Sequence, residues 1–139
     1  MYEGPIIISL KTSIVSTIIV SILGILLANL LLRREGKLKN FFESAVMLPL
    51  FMPPSLIGYI LLMIIGKRSF IGSFLYEYFD FTFIFTWYGA VIAAVITSLP
   101  IMYGSAKGAL LSIDDTYKEV AADLGATKFQ TFYKVTLPL

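Results

Sequence analysis

The chain has 139 residues, 58% of them hydrophobic and 14% charged, with a net charge of +2. A soluble domain carries about 25% charged residues, so the deficit points to a membrane protein, and the small net charge leaves no electrostatic footprint for nucleic acid. Cysteine and histidine are both absent, which excludes disulfides, thiolate or imidazole metal ligands, histidine-ligated haem and a Ser–His nucleophile pair.

The first predicted span runs from Thr12 to Leu32 without a charge. Its 21 residues reach roughly 31 Å at helical rise, enough to cross a hydrocarbon core of about 30 Å. A leader peptide has a basic start, a shorter apolar core and a small-residue cleavage site. Here the start is Met1-Tyr2-Glu3-Gly4-Pro5 and Arg33-Arg34 follows the long core directly.

The second predicted span, Ala45 to Ile65, holds Pro49, Pro53 and Pro54. Each proline removes a backbone donor. Freed carbonyls survive at membrane depth only against protein or a water-lined cavity. Two readings stand: a packing kink, or a helix bent around a transport path. Segment 66–86 follows, and it holds eight aromatic residues. Ile71, Phe74, Leu75, Tyr78 and Phe79 fall at helical spacing, which predicts a short amphipathic helix. Either it lies flat at the membrane interface or it docks an external protein.

The third predicted span runs from Trp87 to about Ala106, with Pro100 inside and ring-bearing Trp87, Tyr88 and Tyr103 toward its two ends. Gly104 and Gly108 have the small-xxx-small spacing used for close helix contact. No acidic or basic residue lies in any of the three spans, which argues against intramembrane chemistry or a proton relay. Ser55, Tyr59, Thr97 and Ser98 offer hydroxyls there, but such groups also bond their own helix carbonyls, and no substrate site is assigned.

Residues 33–44 and the stretch after Ala106 together hold eight basic residues, against Lys11, Lys67 and Arg68 elsewhere. The positive-inside rule then places the N-terminus outside, 33–44 inside, 66–86 outside and 107–137 inside.

Residues 114–134 predict two short helices in that last polar stretch. Thr116 and Glu119 have capping-box spacing. Tyr117, Val120, Ala121 and Leu124 make one apolar face. Gly125 suits a left-handed C-cap, Thr127 can cap the next turn, and Phe129, Phe132 and Tyr133 give the second helix an aromatic face. Leu137-Pro138 reads as the start of another membrane helix. The pair is either a hairpin that covers the bundle or a helix offered to a groove on a partner.

This segment resembles the cytoplasmic EAA loop of importer-type ABC transporter permeases: Glu119, Val120 and Ala121 open the pattern, Gly125 follows after three intervening residues, and Val135, Thr136, Leu137 and Pro138 close it. Val120 and Val135 depart from the pattern's alanine and isoleucine. Most like this chain are the molybdate permeases, through Leu48–Tyr59, Phe85–Val91 and Leu99–Met102 with Lys107 and Ala109 beyond. The resemblance implies an all-α polytopic transmembrane bundle in the cell membrane and no cofactor. It also implies a second permease copy around the path, cytoplasmic ABC ATPase subunits gripping residues 114–134, and an extracytoplasmic oxyanion-binding protein. Glu119 would make a polar contact at the ATPase and Gly125 would set the bend. Such permeases continue past their Leu-Pro, so these 139 residues alone are not expected to transport. Rival readings are a permease for sulfate, phosphate or an organic solute, and a structural membrane subunit, which would not need the spaced segment.

Overall fold

The computed structural model describes residues 4–139; Met1, Tyr2 and Glu3, used above against a leader peptide, lie outside them. It is helical throughout, with no strand among the described residues. Helices α1 (Pro5–Leu32), α2 (Lys37–Phe51), α3 (Pro54–Ile65), α4 (Phe70–Phe79), α5 (Trp87–Ser112), α6 (Asp115–Asp123) and α7 (Lys128–Thr131) follow in order, and a π-helical turn closes the chain at Phe132–Thr136. The expected all-α membrane fold is thus present.

Two helices, α1 and α5, are long and apolar enough to cross a membrane. They lie side by side and parallel. Lys11 sits over the Trp87 ring at 5.0 Å near their starts, while Ala28 and Leu31 pack with Tyr103 and Ala106 near their ends. The buried positions of α1 are Ser16, Val20, Gly24, Ala28 and Leu31, a ridge of mostly small residues three or four apart. In lipid there is no hydrophobic drive between helices, so close backbone approach and dispersion hold them. Gly24 shows how close: an added Cβ would lie 2.6 Å from Met102 Cγ and 3.3 Å from its carbonyl carbon. The opposite face of α1, with Ile14, Ile18 and Ile22, stays exposed, as a lipid-facing surface should. Among the described residues, no close contact forms at the small-residue spacing on the third span. Gly104 and Gly108 have open space where a side chain would go, and the small ridge that does the packing belongs to α1.

The proline-rich region is not a straight helix. α2 and α3 are bent against each other by 118°. The cause is local. Met52 precedes Pro53, and Pro53 precedes Pro54, so both are pushed out of the helical region by the following ring. They adopt ψ of 140° each. Pro54 then starts α3 from its first position, where its missing N–H costs nothing. Pro49 instead stays inside α2.

α4 matches the amphipathic helix foreseen for the aromatic segment. Ser69 caps it, its hydroxyl accepting from the Gly72 N–H at 2.9 Å, and Asp80 ends it in the left-handed region. The Phe74 and Tyr78 rings pack at 4.6 Å between centroids with their planes tilted by 36°, and Phe70, Phe79 and Phe85 are exposed.

Candidate functional site

The polar hairpin of α6 and α7 is built almost wholly from local capping chemistry. Asp114 starts α6: its carboxylate accepts from the Thr116 N–H at 2.9 Å and from the Thr116 hydroxyl at 2.7 Å. The helix therefore begins two residues before the expected Thr116–Glu119 box, because aspartate is the better acceptor for the free N–H groups of a first turn. These two bonds hold the Asp114 carboxyl below its ordinary value.

At the far end Gly125 has φ +82°. The Gly125 N–H donates to Ala122 O at 2.9 Å and the Ala126 N–H to Ala121 O at 3.0 Å. That double bond pattern is a Schellman motif, which ends α6 and turns the chain. Thr127 then opens α7. Its hydroxyl accepts from the Gln130 N–H at 3.3 Å, and the Gln130 side chain accepts from the Thr127 N–H at 2.9 Å. The capping box thus belongs to Thr127 and Gln130, and the signal for it, threonine with glutamine three residues on, stood in the sequence.

The π turn follows from Pro138. Its ring lacks an N–H and crowds the carbonyl four residues back, so the preceding ladder opens: the Leu137 N–H reaches Phe132 O at 2.8 Å. Val135, Thr136 and Leu137 therefore occupy a widened turn, with Thr136 buried.

The predicted anchors separate by burial. Ala121 faces inward and is buried, and Phe132 and Val135 are half-buried. Tyr117, Val120, Leu124, Phe129 and Tyr133 are exposed, Leu124 to 83% and Phe129 to 75%. The Phe129 and Tyr133 rings lie parallel, 6.5 Å apart. Glu119 is exposed as well. The α6 face expected from periodicity is thus divided: Ala121 supports the hairpin, and the larger residues are left outward beside the aromatic pair.

The hairpin meets the long helices at few points. Arg33, just past α1, donates to the Lys128 carbonyl at 3.4 Å and to Asn29 Oδ1 at 3.2 Å. A cavity of about 540 Å³ lies between, lined by Arg33, Leu110, Ala122 and Thr136 among others. The basic segment after α1 and the charged hairpin therefore share one end of the molecule. At that end Lys107 of α5 pairs with Glu43 of α2. At the other end a second cavity of about 590 Å³ lies between α3, α5 and the loop before α5, with Ser55 and Tyr59 on its wall. Thr97 spends its hydroxyl on its own helix, donating to Ala93 O at 3.0 Å. Among the described residues no group of carboxylates is placed to hold a metal ion.

Residues 20–139 match the family described as binding-protein-dependent transport system inner membrane component. The chain is 40% identical over 134 residues to the molybdenum transport system permease protein ModB of Escherichia coli (strain K12), covering 96% of this chain and 58% of that protein. It is 34% identical over 137 residues to the ModB protein of Mycobacterium tuberculosis, covering 99% of this chain and 52% of the relative. It is 30% identical over 131 residues to the sulfate transport system permease protein CysT of Salmonella typhimurium, covering 94% and 47% respectively. The chain spans about half the length of these curated relatives. Together with its apolar helices and all-helical fold, the match over residues 20–139 places this chain in the family of binding-protein-dependent transport system inner membrane components.

Proposed function

We propose that this chain is part of the membrane-spanning subunit of an ATP-driven oxyanion importer, with molybdate as the cargo. The observation that carries the reading is the hairpin. A segment rich in charge presents Tyr117, Val120, Leu124, Phe129 and Tyr133 to the outside, although burying them would be favourable by about 25 cal/mol per Å². Large apolar groups left exposed on a polar element mark a contact surface. A short helix with a few large anchors suits a groove on another protein, and here that protein is a cytoplasmic ATPase subunit, which carries out the hydrolysis.

The mechanism follows from differential binding. The membrane part has two arrangements, and ATP shifts the balance only because the ATPase grips the hairpin differently in its two states. Gly125 and the two caps make the hairpin stiff enough to pass on that displacement. Glu119, exposed on α6, makes a polar contact at the rim. A second permease copy completes the path, and an extracytoplasmic binding protein delivers the anion. The chain crosses the membrane with its N-terminus outside and the hairpin in the cytoplasm. High affinity resides in the binding protein, since no charged residue lies within the three apolar stretches.

The test uses the complete permease co-expressed with its ATPase and binding protein. Uptake of labelled molybdate that requires ATP, together with co-purification of the ATPase lost on changing Leu124 and Phe129 to aspartate, supports the reading. Unimpaired co-purification in that variant overturns the hairpin's role. The likeness to sulfate permeases supports a second cargo, and uptake of sulfate that molybdate fails to compete would replace the first.

A further inference from the structure

We propose that Glu43 and Lys107 form a releasable tie which fixes α2 to the inner end of α5 and passes motion of the hairpin to the bent α2–α3 pair. Four observations carry it. First, α2 has no fully buried residue; only Val46 and Met47 lean on the cluster of α1 and α5. Packing alone therefore holds it weakly.

Second, both ends of α2 are built to pivot. Gly36 precedes it at φ +111°, and the Met52–Pro53 break follows it. Third, the ion pair joins residues 64 positions apart, and its side chains are partly shielded at 30% and 24% exposure. Lys107 stands near the end of α5, six residues before Ile113, after which Asp114 caps α6. A displacement of α6 thus reaches Lys107 through the two-residue link Ile113–Asp114 and the last residues of α5.

Fourth, the Tyr103 hydroxyl is buried and lies beside the Glu43 carboxylate. Glu43 therefore faces two groups on α5 one turn apart, the Tyr103 hydroxyl and the Lys107 ammonium. When Lys107 swings away Tyr103 remains as its partner, so the tie has two positions. At a shielded site a charge left without its partner costs more than at an open surface, so the tie either holds or exchanges.

This inference rests on the importer reading, and its test separates the two. Spin labels are placed at Asn40→Cys on α2 and Gly108→Cys on α5 of the complete permease; both positions are exposed, and the chain has no cysteine of its own. In Glu43→Gln the distance distribution between labels broadens, and in Glu43→Lys with Lys107→Glu it narrows again. In proteoliposomes with the ATPase and loaded binding protein, Glu43→Gln and Tyr103→Phe lower molybdate moved per ATP, Glu43→Gln by about fivefold or more, as losing a typical coupling energy would. An unchanged label distribution in Glu43→Gln overturns the tie whatever the cargo. A wild-type assembly that moves no anion overturns the importer reading and leaves the label result standing by itself.

Discussion

Gly125 and Gly24 carry different kinds of constraint, and their substitutions should behave differently. Gly125 has φ +82° with open space around a would-be Cβ. Its need is conformational, since a left-handed residue other than glycine costs about 1–2 kcal/mol. Gly125→Ala should weaken the hairpin by that amount and Gly125→Val by more, while both variants insert in the membrane normally. Loss of ATPase co-purification with unchanged insertion is the expected result; normal assembly and uptake in Gly125→Val would show that the turn is dispensable. Gly24 is helical, and its need is steric. Gly24→Leu drives a side chain into Met102, an overpacking that costs about 1–3 kcal/mol. The α1–α5 pair should separate, read as a lower melting temperature in detergent. Gly24→Ala, which a shift of the flexible Met102 side chain accommodates in part, should fall between. Equal melting of Gly24→Leu and the unaltered protein would refute the close contact.

Among the elements, the hairpin is the most sensitive to solution conditions. Asp114 has its carboxyl held below the ordinary value of 3.8 by the two bonds from Thr116. The bond partners favour the charged form, so their stabilisation is fully present above that ordinary value. It fades as pH falls through the lowered one. Helicity of the isolated 112–136 segment should therefore be flat near neutrality and decline only in strong acid, and Asp114→Asn should remove much of that decline. A decline near neutral pH would contradict the assignment. Thr127→Ala removes one half of a reciprocal cap and should cost about 1 kcal/mol, measured as reduced helicity in the same segment.

The same scale shows where sequence reading succeeds. Turn and cap chemistry is local, so Gly125 and Thr127 announced their roles. The start of α6 was misjudged because two capping signals overlap at Asp114 and Thr116, and only the backbone shows which one is used. The π turn was not foreseen at all. Its clue was Pro138, read as the start of a helix, whereas its ring acts on the turn before it.

Over the whole molecule, the basic segment after α1 and the hairpin gather at one end through Arg33 and Lys128. That grouping agrees with the charge bias used to orient the chain. Single cysteines at Lys39 and Ala126 of the complete permease should react with an impermeant maleimide only after cells are opened, and one at Glu77 should react in intact cells. Labelling of Ala126→Cys from outside would reverse the orientation. The broken α2–α3 pair also belongs to this scale: its 118° bend turns one apolar stretch into two short helices, so the number of crossings follows from where each half lies and not from hydropathy.

By itself, the sequence determined that this chain is an all-helical membrane protein with three apolar stretches, the second disturbed by its prolines, and a capped polar hairpin. These features depend on composition and on neighbours a few residues apart. Tertiary structure alone decided that α1 offers its small-residue ridge to α5, that Gly104 and Gly108 stand open, and that Glu43 meets Lys107. In lipid the faces of a helix are equally apolar whether they touch protein or acyl chains. Hydropathy therefore carries no contrast between them, and only the fit of one surface against another distinguishes the buried side.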